Sequence, residues 1–201
     1  MPLVHHFKEK EGEIIHWEIE ETLEALQDSG AEYGIELQVP DYIEARKKQI
    51  LVMRILHKII APGTQIKYET YGKPYLEPEG FISFSHSRNH VVVYKSIHPC
   101  GIDLEQLNER VLRIRHKYLN ETELRYLESE SVDDLIRLWS AKEATFKVYG
   151  KDGVYLRNNI FVDNLTSSSC SVILEDKDFR INRNIRFRII EDMVLAWTET
   201  A

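Results

Sequence analysis

The chain has 201 residues, 33 acidic against 26 basic, a formal net charge of -7, and 43% hydrophobic residues. That apolar content can bury a sizeable interior and excludes disorder as a description of the whole chain. The negative balance excludes a general affinity for nucleic acid or anionic membrane, so an anionic ligand needs a local basic site.

Only two cysteines occur, Cys100 and Cys170, and the opening residues 1–6 lack the charged-then-apolar plan of a signal peptide. A reduced, cytoplasmic setting is the expectation. Apolar runs such as 50–53 and 91–94 fall far short of the roughly 20 residues that span a bilayer, so no membrane partner is expected.

Charge is segregated in the first half. Residues 9–44 hold twelve acidic residues and one basic residue, Lys10, whereas residues 46–73 hold seven basic residues and one acidic residue, Glu69. Two solvated helix faces of opposite sign would give this pattern, and so would a recessed phosphate site. From Asp41 to Ile60, apolar Ile43, Ile50, Met53, Leu56 and Ile60 recur at helical spacing until Pro62-Gly63 stops them. Residues 65–70 alternate as a strand, Gly72-Lys73-Pro74 turns the chain, and 81–84 with 90–96 read as a hairpin around Ser87-Arg88-Asn89.

A short strand follows at 101–104. Asn120 with Glu123, and Ser131 with Asp134, have capping-box spacing and open two helices, the second ending at Gly150. From Val154 the chain is mostly strand. Residues 81–96 and 185–200 share one plan, strand, polar turn and strand, which allows two halves of like topology meeting near residues 100–105.

Three short segments can carry chemistry. In Gly101-Ile102-Asp103-Leu104-Glu105, strand periodicity puts Ile102 and Leu104 on one face and both carboxylates on the other. Such a pair offers oxygens to a hard cation, although an ordinary half-exposed strand reads the same. On the helix through Trp139, Lys142, Glu143, Phe146 and Lys147, Glu143 and Lys147 project together beside two aromatic rings. Ser83-Phe84-Ser85-His86-Ser87 ends a strand close in sequence to Lys73, where Ser85 and His86 can donate to a phosphate and Lys73 can supply charge.

In this order and spacing the three segments resemble the 4'-phosphopantetheinyl transferase superfamily in its longer, two-lobed form. The resemblance runs from about Arg46 to Gly153. It is specific in Gly72-Lys73-Pro74 with Phe84-Ser85-His86-Ser87, in 101–105, and in 139–147 with Gly150. It implies an α+β fold of two similar lobes, residues 1–100 and 101–201, each an antiparallel sheet on a long helix, with the active site in the cleft between them. The implied activity moves the 4'-phosphopantetheine arm of coenzyme A to a serine of an acyl- or peptidyl-carrier protein.

The resemblance also assigns roles. Asp103, Glu105 and Glu143 would bind Mg²⁺, Glu143 would take the serine proton, and Lys147, helped by Lys142, would steady the pyrophosphate. Ser85, His86 and Lys73, with Arg46 or Lys47, would hold the 3'-phosphate. Arg110, Arg113, Arg115, His116 and Lys117 are the expected dock for an acidic carrier. A monomer is expected, because one chain supplies both lobes. Lys48-Gln49 stands where relatives often carry a glutamate. A catalytically silent coenzyme A or carrier binder and a metal-dependent phosphodiesterase are the competing readings.

Overall fold

The computed structural model describes residues 3–36, 38–126, 131–177 and 179–199. The chain divides into two units. One is built from the chain up to Lys67 together with Pro74–His98, and the other from Tyr68–Lys73 together with the chain from Pro99 onward. The segment 68–73 therefore belongs with the second unit although it lies within the first hundred residues.

The first unit contains strands β1 (Leu3–Glu9) and β2 (Gly12–Glu18), helices α1 (Leu23–Glu32) and α2 (Glu44–Ile60), and strands β3 (Gln65–Tyr68), β4 (Pro74–Glu77), β5 (Phe81–Ser87) and β6 (His90–Ser96). They form an antiparallel sheet in the order β1-β2-β6-β5-β4-β3. Inside the acidic stretch, β2 is buried on both faces, with Ile14, Ile15, His16 and Trp17 at most 1% exposed. Thr22 then caps α1 by accepting from the Ala25 amide at 3.2 Å.

The expected long helix forms as α2, with Ile43 as its exposed N-cap residue rather than a core position. Its buried stripe is Leu51, Val52, Ile55, Leu56 and Ile60, packed with Ile15, Trp17, Val91 and Val93. The period is the one expected and Leu56 and Ile60 are buried as expected, whereas Ile50 and Met53 are only half-buried beside the stripe. Six of the seven residues from Ile50 to Leu56 are apolar, so two overlapping stripes compete and the sheet selects one. At the helix end, the Thr64 hydroxyl donates to the Ala61 carbonyl at 2.8 Å and accepts from His57 Nε2 at 3.0 Å, which fixes the proton of His57 on that nitrogen.

The second unit runs β7 (Ile102–Gln106), α3 (Arg110–Tyr118), α4 (Glu121–Tyr126), α5 (Val132–Tyr149), α6 (Leu156–Asn159), β8 (Ile160–Asp163), β9 (Ser169–Asp176), β10 (Phe179–Ile190) and β11 (Met193–Thr198). Its antiparallel sheet has the order β7-β11-β10-β9-β8. The class is α+β, as expected. The Asn120–Glu123 box closes, with the Glu123 amide 2.9 Å from Asn120 Oδ1 and the Asn120 amide 3.0 Å from Glu123 Oε2. Ser131 makes no side-chain cap, and Asp134 instead accepts from Arg137 Nη1 at 3.0 Å. Helix α5 stops at Gly150, whose φ of 65° is the left-handed conformation that glycine adopts freely.

Among the described residues no helix is long and apolar enough to cross a membrane. The hairpins expected at 88–89 and near 190 both form, each turning through a non-glycine residue in the left-handed region, Arg88 at φ 51° and Glu191 at φ 55°.

In the second unit, α5 approaches β7 on small side chains. Ala141 and Ala144 are fully buried against the sheet core of Val172, Leu174, Ile185, Val194 and Ala196. A Cβ placed on Gly101 would lie 1.9 Å from the Ala144 carbonyl oxygen, a backbone atom that cannot swing aside. The strand is further held by Thr198, whose amide donates to the Gly101 carbonyl at 2.9 Å and whose hydroxyl accepts from the Gly101 amide at 2.9 Å. Gly101→Ala is expected to cost about 3 kcal/mol or more, the upper end of overpacking penalties, read as a lowered midpoint in urea unfolding.

Candidate active site

The sequence alternation on β7 holds in register. Asp103 pairs with Ala196 and Glu105 with Val194 on β11, whereas Leu104 pairs with Leu195 and Ile102 with Trp197. Ala196 and Val194 belong to the core that also contains Ala141 and Ala144, so both carboxylates stand on the α5 side of the strand. On α5, Trp139, Glu143 and Lys147 recur every four residues and stack along one line of the helix. The two rows meet. Lys147 Nζ donates to Asp103 Oδ1 at 2.8 Å and to the Ile102 carbonyl at 2.8 Å, and Trp139 Nε1 donates to Glu105 Oε1 at 3.1 Å. The Trp139 ring is set edge-on to Tyr118 on α3, with centroids 5.1 Å apart.

Electrostatics registers the crowding. The Glu105 carboxyl is pushed up to about 7, by burial first and by the Asp103 charge second, against the lowering effects of Trp139, Lys147 and Arg110. The Glu143 carboxyl is likewise pushed up to about 7, by burial, then by Asp103 and more weakly by Glu105, with Lys147 opposing. One lysine thus faces three carboxylates, and two of those carboxyls are raised by burial and by the charge of Asp103.

The donor chemistry fits a hard divalent cation, which takes oxygen ligands and relieves repulsion between carboxylates. The side chains as they stand do not close a ready-made cage, and no group of three or more His, Cys, Asp or Glu residues arranged for a metal occurs among the described residues. Asp103 is turned to Lys147, and Glu105 to Trp139.

Lys142 is a correction to the expected set. Its side chain is fully buried, paired with Glu123 at 2.7 Å, and also donates to the carbonyls of Tyr118 at 2.7 Å and Leu156 at 3.0 Å. All three ammonium donors are engaged inside the protein, which leaves none for a pyrophosphate. Burial pushes the Lys142 amine down, and the Glu123 charge opposes that shift. Glu123 closes the hub by accepting the Val162 amide on its other oxygen at 2.9 Å. The heptad spacing carried a signal for this: Lys142 shares a helix stripe with Leu135, Leu138 and Thr145, all buried.

The expected phosphate residues are distributed over both units. Lys73 packs on Gly150 and donates to the Val148 carbonyl at 2.5 Å, closing the C-terminal end of α5 within the second unit. In the first unit, alternation sends Ser85 and His86 to opposite faces of β5. Ser85 lies opposite Val92, while His86 lies opposite Val91 on the face that packs against α2 and is bonded to Arg46. Lys47 pairs with Asp41 at 3.3 Å. Gln49, a residue sequence reasoning gave no role, donates to the Arg88 carbonyl at 2.7 Å and ties α2 to the β5–β6 turn, while Arg46 reaches its side-chain oxygen at 3.3 Å.

On α3, Arg110, Arg113, His116 and Lys117 are exposed and Arg115 is half-buried, whereas Val111 and Tyr118 face inward.

Residues 99–197, the stretch that carries the carboxylates and α5, match the 4'-phosphopantetheinyl transferase superfamily. The chain is similar to the 4'-phosphopantetheinyl transferase gsp of Aneurinibacillus migulanus, 30% identical over 132 residues, 62% of this chain and 55% of the relative. It is similar also to psf-1 of Bacillus pumilus, 33% identical over 121 residues, 54% of this chain and 52% of the relative. Sfp of Bacillus subtilis (strain 168) is 32% identical over 96 residues, 44% of this chain and 43% of the relative. The chain spans about half the length of the curated relatives it matches.

Lys142→Met, which strips the buried Glu123 of its ion-pair partner, is expected to cost about 3–5 kcal/mol of stability, measured by urea unfolding. Exchanging both members, Lys142→Met with Glu123→Met, is expected to recover part of that loss.

Proposed function

We propose that this chain transfers the 4'-phosphopantetheine group of coenzyme A to a serine of an acyl- or peptidyl-carrier protein, releasing adenosine 3',5'-bisphosphate. The observation that carries the reading is the meeting of β7 and α5, where Asp103, Glu105, Glu143 and Lys147 act on one another's charge. The superfamily match over residues 99–197 and relatives bearing the transferase name support it.

Asp103, Glu105 and Glu143 would hold Mg²⁺, which when bound supplies positive charge to the coenzyme pyrophosphate and to the leaving phosphate. Glu143 takes the proton from the carrier serine as its oxygen attacks the phosphorus bearing pantetheine. The bond from that phosphorus to the bisphosphate oxygen breaks. Lys147, already beside Asp103, places an ammonium where negative charge grows on the departing group.

In the first unit, Arg46 and His86 form a donor corner for a coenzyme phosphate, with Lys47 and Ser85 beside it in sequence. Lys73 is a further candidate contact, through the methylene stem and ammonium that now cap α5. Lys142 acts in this reading through its buried contacts with Glu123, Tyr118 and Leu156. The exposed face of α3, Arg110, Arg113, His116 and Lys117 with Arg115 at its edge, is the proposed dock, because four cationic or protonatable side chains on one helix suit an acidic partner. The protein would work as a cytoplasmic monomer without a nucleic-acid or membrane partner, in keeping with its net charge of -7.

Incubation with coenzyme A, Mg²⁺ and a panel of apo carrier proteins is expected to add one phosphopantetheine mass to at least one of them. Glu143→Gln is expected to lower kcat by about 10²–10⁴-fold, the usual worth of a positioned proton acceptor, while coenzyme binding is partly retained. Chelation of divalent metal should stop turnover. Release of bisphosphate without any carrier would favour the phosphodiesterase reading, and binding with no mass gain across the panel would favour the silent binder.

A further inference from the structure

Three imidazoles from three neighbouring strands stack in the first unit. His5 on β1 lies directly opposite His16 on β2, with ring centroids 5.7 Å apart and planes 12° from parallel. His16 in turn stacks on His90 of β6 at 5.1 Å and 23°. They occupy the face of β2 opposite Ile15 and Trp17, whose side chains join the α2 core. His16 is fully buried and His90 nearly so.

The hydrogen bonding constrains where protons sit. His16 Nε2 and His90 Nδ1 are 3.0 Å apart, and His16 Nδ1 is buried with no hydrogen-bond partner among the described residues. A proton on Nδ1 would be a buried donor with nothing to receive it, so His16 carries its hydrogen on Nε2 and donates to a bare Nδ1 of His90. A second proton on His16 would therefore make an orphaned, buried N–H.

Among the described residues, no carboxylate is a cause of the His16 shift. The charges that act on His16 are those of His90 and His5, and both oppose its protonation. Glu18 and Glu9 share this face of the sheet, Glu18 accepting instead from Asn89 Nδ2 at 3.2 Å. Two further histidine–carboxylate pairs lie near the same hairpin, His6 with Glu13 on the other face and His98 with Glu11 at 3.3 Å, both partly exposed.

We propose that His5, His16 and His90 form an acid-sensitive latch holding the edge strand β1 to the N-terminal sheet. Burial and the two neighbouring rings push the His16 imidazole down to about 4. His16 is thus neutral in the fold and protonated in the opened chain below pH 6.5, so its contribution is complete above pH 6.5 and is lost as pH falls toward 4. Because β1 has one sheet neighbour, β2, the loss falls first on the β1–β2 seam.

Amide hydrogen exchange, corrected for the intrinsic pH dependence of exchange, tests this at pH 7 and pH 5. Protection in 5–9 and 12–17 is expected to fall about tenfold or more at pH 5 relative to β5 and α2. In His16→Gln, which keeps a donor toward His90 and cannot titrate, the fall is expected to shrink to about twofold. His5→Gln, at an exposed position, serves where the buried variant fails to fold and is expected to reduce the fall part-way. His57 on α2 is also held neutral by burial. A loss spread evenly over α2, β5 and β6 would be general acid unfolding and would overturn the latch, as would an equal loss in wild type and both variants.

Discussion

The second unit depends on one close approach, the backbone of β7 at Gly101 against the backbone of α5 at Ala144. With no side chain at the first and a methyl at the second, strand and helix come nearer than ordinary packing permits, and the Thr198 hydrogen bonds hold the strand there. That nearness is what makes a site. Two residues along β7 and one turn along α5, Asp103 and Lys147 come within 2.8 Å, and Glu105 reaches the Trp139 indole. Burial first, and the nearby Asp103 charge second, hold the carboxyls of Glu105 and Glu143 above the usual carboxylate range.

Two lysines five residues apart on α5 show how exposure decides use. Lys142 is fully enclosed and spends its charge joining α3, α4, α6 and β8 through Glu123 and two carbonyls. Lys147 is part-exposed beside the carboxylates, where its charge stays in reach of a ligand. The first lysine secures the helix that presents the second. A buried pair of this kind adds little to stability compared with an apolar pair, and breaking it by half is what costs.

Much of the site was legible because its signals are local. Strand alternation told which side of β7 bears the carboxylates, and a four-residue spacing aligned Trp139, Glu143 and Lys147. The capping box at Asn120 was readable for the same reason. Elements whose pattern depends on tertiary surroundings were not. Strand β2 is covered on both faces, so Ile14-Ile15-His16-Trp17 shows no alternation and lies hidden in an acidic run. The phase of α2 is chosen by the sheet from two stripes of equal apolarity. Ser85 and His86 are adjacent in sequence, and the pleat that separates neighbours on any strand sends their side chains to opposite faces of β5. Lys142 sits inside a motif that draws attention to its chemistry, while its place on the buried stripe marks it as scaffold.

Lys73 gives the molecule an unusual fragment logic. Residues 68–73 run from the last residue of β3 to the residue before β4, yet they group with the second unit, where Lys73 closes the C-terminal end of α5. No single scission can therefore yield the C-terminal half with every part of its own architecture. A dissected version would have to carry residues 68–73 as a grafted or added peptide, and whether that peptide restores the severed half is a direct readout of how much the strap contributes.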